Sequence, residues 1–151
     1  MKPLVIYHAN CTDGFGAAFA AWLKLGDNAE YLPMEYGHSV GANLTMFEGR
    51  EVYILDFSFS KPDMEDIFAE AKRVVWLDHH KTAFEMWVCP EERPCAYWRE
   101  QVEGTPSDPS SWYIVLDDNK SGALLAWEYF HPGIEVPMLI QHIDDRDRWQ
   151  F

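Results

Sequence analysis

The chain has 151 residues, of which 48% are hydrophobic and 15% aromatic, and its 12 Lys+Arg against 25 Asp+Glu give a formal net charge of −13. That size and composition predict one domain with a packed core, and exclude a second large domain, a disordered chain and a low-complexity tract. The acidic balance excludes a general nucleic-acid coat protein, whereas a short polyanion at one site stays compatible, because divalent cations reverse the sign locally.

The apolar stretch near the N-terminus is too short for a signal-peptide core or a membrane span, so neither export nor membrane insertion is expected. Cys11, Cys89 and Cys95 are irregularly spaced, which does not fit a secreted disulfide framework and points to a reducing cytoplasm. Cys89 and Cys95 lack the CxxC spacing of a zinc site and read as ordinary cysteines.

In chain order, residues 4–7 are a short run of β-formers predicting a buried strand that ends at His8. A helix follows, with Thr12 or Asp13 as its cap and Gly26 as its stop. Residues 31–34 read as a weak strand, and 37–49 carry no clear period. Residues 52–55 form a second strong strand ended by Asp56, and Ser60 with Pro62 opens a helix through about residue 72. Residues 73–77 form a third strand ending at Asp78-His79-His80, followed by a short helix over 82–87. Residues 88–111 break the rhythm and predict a loop or small hairpin inserted between elements. Residues 112–116 restore a strand, Ser121 caps a helix over 122–130, and a last helix runs from 138 to about 149. Strands alternating with helices predict an α/β fold, a mainly parallel sheet with helices on both faces.

Three apolar strands thus end in side chains able to bind metal: His8, Asp56 and Asp78-His79-His80. In an open parallel sheet such ends share one edge, where ligands bind. Carboxylates and imidazoles are otherwise poor neighbours for a buried sheet, so the pattern predicts a shared metal or catalytic site.

The triplet Asp78-His79-His80, His8 with Asp13-Gly14, the isolated Asp56 and the late Ile143-Asp144-Asp145-Arg146-Asp147 together resemble the DHH phosphoesterase superfamily, over essentially the whole chain and in the family's order. The stretch 119–130 is similar to the branch containing nano-RNases and short-oligonucleotide phosphodiesterases. The resemblance implies a DHH-type catalytic domain and a hydrolase using two divalent ions, Mn²⁺ foremost, with Mg²⁺, Zn²⁺ or Fe²⁺ as alternatives. It implies that His8 ligates the first ion, that Asp56 bridges both, and that Asp13, His79 and Asp145 ligate the second, with the adjacent Asp144 as the alternative to Asp145. Asp78 would orient its neighbours, and His80 would hydrogen-bond a phosphate oxygen or protonate the leaving group. Carboxylates with imidazoles suit Mn²⁺, and two ions about 4 Å apart can activate water and neutralise a phosphate.

The sequence departs from the family pattern in two respects. Cys11 stands where the family commonly has a carboxylate, and a thiolate there shifts preference toward zinc or iron. The family's usual C-terminal substrate-binding domain has no counterpart before Phe151, which is expected of a catalytic-domain fragment, of a minimal family member, or of one part of an assembly in which a homo-oligomer or partner chain supplies the missing cleft wall.

Among substrate contacts, Lys81 follows the triplet, and Ser121 and Gly122 begin a helix whose N–H groups could hold a phosphate or simply receive a serine cap. Arg146 and Arg148 could contact a phosphate or pair with Asp144 and Asp147, and pairing is the expectation. Trp22, Trp76, Trp127 and Trp149 are expected in the core, leaving Trp98 and Trp112 for stacking on a base or partner. Two functions follow. One is hydrolysis of a phosphodiester in a short oligonucleotide or a cyclic or linear dinucleotide. The alternative is a non-catalytic or partner-dependent nucleotide-binding module with a degenerate first-metal site.

Overall fold

A computed structural model describes residues 1–37, 41–87, 97–99 and 112–148. Strand β1 (Leu4–His8) leads into helix α1 (Thr12–Leu25), then β2 (Glu30–Met34), β3 (Glu51–Leu55), α2 (Lys61–Glu70) and β4 (Arg73–Asp78). Helix α3 (Lys81–Trp87), β5 (Tyr97–Arg99), β6 (Trp112–Asp117), α4 (Gly122–Phe130) and α5 (Met138–Arg148) complete the chain. The strands form one sheet in the order β2-β1-β3-β4-β6-β5. Five are parallel, and β5 runs antiparallel to β6 at the edge. The fold is α/β, as the alternation of strands and helices implies.

Both sheet faces are covered, which explains why the central strands read as continuous apolar runs. Alternate residues serve two cores. Ile6, Ile54 and Trp76 pack with Met64, Ile67 and Phe84 from α2 and α3. Val5, Leu55 and Leu77 pack on the other face with Ala17, Ala20, Ala126 and Ile143 from α1, α4 and α5.

Several local expectations need correction. The α1 cap is Cys11, in extended conformation, rather than Thr12 or Asp13. Helix α2 ends at Glu70, short of residue 72. A 3₁₀ segment, Gly41–Met46, occupies the stretch without a visible period. Trp22 is 47% exposed, whereas Trp76 and Trp127 are buried as expected. Strand β5 lies inside the predicted 88–111 insertion; the rest of that segment, with Cys89 and Cys95, and also Trp149, lie outside the described residues. Among the described residues no helix is long and apolar enough to cross a membrane.

The strand order fixes where a ligand can sit. From β1 the chain moves outward to β2 and then returns to the other side of β1 to form β3. The connections therefore leave in opposite directions between β1 and β3, opening a crevice beyond their C-terminal ends. His8 ends β1, and Asp56 follows β3 directly.

Candidate metal centre

Asp56 is the centre of the site. It is fully buried and its φ of 55° places it in the left-handed region, which aspartate tolerates better than most residues. Its N–H donates to the Leu77 carbonyl (2.8 Å), extending the sheet by one step. One carboxylate oxygen, Oδ1, meets His79 Nε2 at 2.8 Å. The other, Oδ2, faces Cys11 Sγ at 3.8 Å and His8 Nδ1 at 3.9 Å. Burial drives the Asp56 pKa up to about 7, against the pull of His79, and the nearby Asp13 and Asp78 carboxylates push the same way.

Asp13 approaches from the first turn of α1, and its Oδ2 lies 3.0 Å from the same His79 Nε2. Its two oxygens also accept from the N–H groups of Gly122 (2.9 Å) and Ala123 (2.7 Å) at the start of α4. Burial alone would raise its pKa; the His79 contact and the Ala123 N–H outweigh burial and hold it low. His79 is the mirror case. Burial opposes its charge, but Asp13 and Asp56 overcome it and lift its pKa to about 11. Asp13 and Asp56 thus converge on one ring nitrogen of His79 and favour its protonated form. Its other nitrogen, Nδ1, faces Asp147 at 3.5 Å.

Asp78 is buried, and one of its carboxylate oxygens orders the triplet. Its Oδ1 accepts from the backbone N–H of His79 (2.8 Å) and of His80 (3.3 Å), and meets His80 Nδ1 at 2.6 Å. Ser58 Oγ donates to Oδ2 at 2.6 Å. These bonds hold its pKa low despite burial, and the same pairing raises that of His80 against burial. His8 differs: burial and the neighbouring His80 keep its pKa low, and its buried Nδ1 has no hydrogen-bond partner among the described residues.

Three sets of donor atoms therefore lie within 4.8 Å of one another: Asp56, Asp78, His79 and His80; His8, Cys11 and Asp56; Asp13, His79 and Asp147. Asp/His groups able to hold a metal ion are present, and Asp56 and His79 each belong to two sets. The donor chemistry fits a divalent ion. The unsatisfied His8 nitrogen supports that fit, since a buried ring nitrogen without a partner is costly unless something takes its lone pair.

The structure brings His8, Cys11, Asp13, Asp56, Asp78, His79 and His80 together as the sequence predicts, and separates four other residues from those expectations. Asp145, expected as a ligand, lies on the exposed face of α5 and in none of the donor sets; Asp147 reaches His79 in its place. The reason is helical phase. Ile140 and Ile143 are buried, and the residues at i+4 from each, Asp144 and Asp147, share that face. Asp144 points inward but accepts from the Ser121 N–H (2.8 Å). Ser121 and Gly122 do not offer their N–H groups to a phosphate, because Asp144 and Asp13 occupy them, and the Ser121 hydroxyl receives the Leu124 N–H. Lys81 is 88% exposed beside Glu85 (3.8 Å), outside the centre.

Two further residues reach the site. Tyr36 stacks on Phe57 with centroids 4.6 Å apart, and its hydroxyl lies 3.3 Å from His80 Nδ1. Its only sequence signal is a tyrosine just past the edge strand. Arg146 was expected to pair with Asp144 or Asp147; instead it makes no ion pair among the described residues and lines a cavity of about 360 Å³ with His8, Cys11, Asp13 and Asp147.

No family model matches the chain. It is similar to an uncharacterized protein of Acanthamoeba polyphaga mimivirus, 28% identical over 160 residues that cover 98% of this chain and 34% of the viral protein. The chain therefore spans about a third of the length of that relative.

Proposed function

We propose that the protein is a metal-dependent phosphoesterase of the DHH type, hydrolysing a phosphodiester in a short oligonucleotide or a cyclic or linear dinucleotide. The observation that carries this reading is the double membership of Asp56: its Oδ1 belongs with His79, and its Oδ2 with His8 and Cys11. A carboxylate with donors converging on each oxygen is what a bridging ligand requires. His8 and Asp56 would hold one ion, and Asp13, Asp56, His79 and Asp147 a second, with Mn²⁺ the best match to the oxygen and nitrogen donors. When bound, the ions supply Lewis acidity at the phosphoryl group and a lowered pKa for water.

The chain's own residues do the rest. Asp78 holds His79 and His80 in fixed orientation through backbone and ring contacts at once. His80, partly exposed and with its protonated form favoured by Asp78, would donate to a phosphate oxygen or to the leaving group. Arg146, a cation lining the cavity, would receive a non-bridging phosphate oxygen, a role arginine suits by its planar fork. It takes over the anion-binding task that Ser121 and Gly122 cannot perform.

Elemental analysis of the Mn²⁺-loaded protein, with release of nitrophenol from bis(p-nitrophenyl) phosphate and cleavage of a dinucleotide, tests the reading. Hydrolysis that requires metal and is lost in Asp56→Ala supports it. A protein that binds metal and nucleotide but turns over neither substrate would instead be the non-catalytic binding module.

A further inference from the structure

We infer that the two ends of this centre are chemically unlike, and that His8, Cys11 and Asp56 form a thiolate-containing site for a borderline-soft divalent ion, Zn²⁺ or Fe²⁺. The Asp13, His79 and Asp147 end offers only oxygen and nitrogen donors, which suit Mn²⁺ or Mg²⁺. The inference rests on the two-ion reading above and adds which ion each end prefers.

Four observations converge on it. Cys11 is the N-cap of α1, so its position is fixed by the start of a helix packed against the sheet. Gly14, one turn on, has no room for a Cβ beside the His8 carbonyl, which pins that helix start against the end of β1. The donor separations are also close to those of a small ion. For bonds of about 2.3 Å to sulfur and about 2.0 Å to nitrogen or oxygen, tetrahedral donors lie roughly 3.3 to 3.5 Å apart. Cys11 Sγ is 3.8 Å and His8 Nδ1 3.9 Å from Asp56 Oδ2, and all three donors lie within 4.8 Å of one another, so the set has to contract by roughly half an ångström to close on one ion. Lastly, a thiol donating weakly to Asp56 would account for the Cys11 contact but would leave His8 Nδ1, buried and unpartnered among the described residues, without a reason. An ion between the three donors satisfies all of them.

On binding, the Cys11 S–H proton is lost to solvent and the thiolate ligates. Sulfur ligation has a signature that oxygen ligation lacks, a near-ultraviolet charge-transfer band when the ion is Co²⁺. The wild-type chain loaded with Co²⁺ should develop this band, and Cys11→Ser, nearly isosteric, should lose it. After dialysis, Cys11→Ser should retain about tenfold less Zn²⁺ or lower still, with Mn²⁺ content little changed. Should Cys11→Ser fail to fold, the wild type decides alone. Zn²⁺ should slow iodoacetamide modification of the half-buried Cys11, followed by peptide mass spectrometry, about tenfold or more. Bound Co²⁺ without the band, or Cys11 alkylation unchanged by Zn²⁺, overturns the thiolate site and leaves the two-ion reading standing. No retention of Co²⁺, Zn²⁺ or Mn²⁺ overturns both.

Discussion

Gly122 stands directly against Asp56: a Cβ added at Gly122 would lie 2.5 Å from the Asp56 Cβ and 2.6 Å from its Oδ1. The first residue of α4 is thus a spacer that lets the helix start reach the centre, where its N–H groups bind Asp13. Glycine in an open helix normally costs about 1 kcal/mol relative to alanine, so Gly122→Ala would ordinarily stabilise. Here the added methyl must displace the buried carboxylate, and overpacking of that kind costs about 1–3 kcal/mol. Gly122→Ala should lower both the melting temperature and the metal content; a more stable variant with full metal content would refute the spacer role.

Helix α5 yields a paired test. Asp145→Ala removes an exposed carboxylate and should leave metal binding and melting temperature near wild type, as surface changes usually do. Asp147→Ala removes the group 3.5 Å from His79 Nδ1 and should weaken metal retention about tenfold or more. Isothermal titration with Mn²⁺ separates the two variants, and the opposite ranking would restore Asp145 as the ligand.

The contrast between Asp145 and Asp147 marks where the sequence stopped being informative. Strand ends were legible, because apolar runs stopping at His8, Asp56 and Asp78 project those residues from one edge of a parallel sheet. The inward face of a helix is set by its phase, and the phase of α5 could have been taken from Ile140 and Ile143, which place Asp144 and Asp147 inward. The α4 N-terminus misled for a different reason. Ser121 has every local feature of a cap and a phosphate site, and only the tertiary arrangement brings Asp13, 109 residues away, onto the Gly122 N–H. Tyr36 has no sequence signal because its place depends on a stack with Phe57, across the crevice from its own strand.

Metal should stabilise the fold. Asp13, Asp56 and Asp147 crowd around His79 and Asp78 lies against His80, and an ion bound only by the folded state adds about 2.7 kcal/mol at a hundredfold excess over its Kd. Saturating Mn²⁺ should raise the melting temperature by several degrees and chelator should reverse it. A melt indifferent to both would mean the donors close on no ion.

The roles proposed for Asp56, His80 and Arg146 differ in what each loss does to the kinetics. Asp56→Ala takes a ligand from both ions and should abolish turnover together with metal content. His80→Ala touches neither oxygen of Asp56 at short range, the nearer separation being 4.0 Å, so metal should remain while kcat falls about a hundredfold, the usual worth of a positioned proton donor. Arg146→Ala should leave metal and melting temperature unchanged, because the guanidinium makes no ion pair among the described residues. It should raise KM for a phosphodiester more than it lowers kcat, since the arginine would bind the anion in ground and transition states alike. Lysine at this position should restore part of the affinity, keeping the charge but losing the fork. Should Arg146→Ala instead lose metal, its side chain would be holding the centre together rather than meeting substrate; an unchanged KM would remove it from the site altogether.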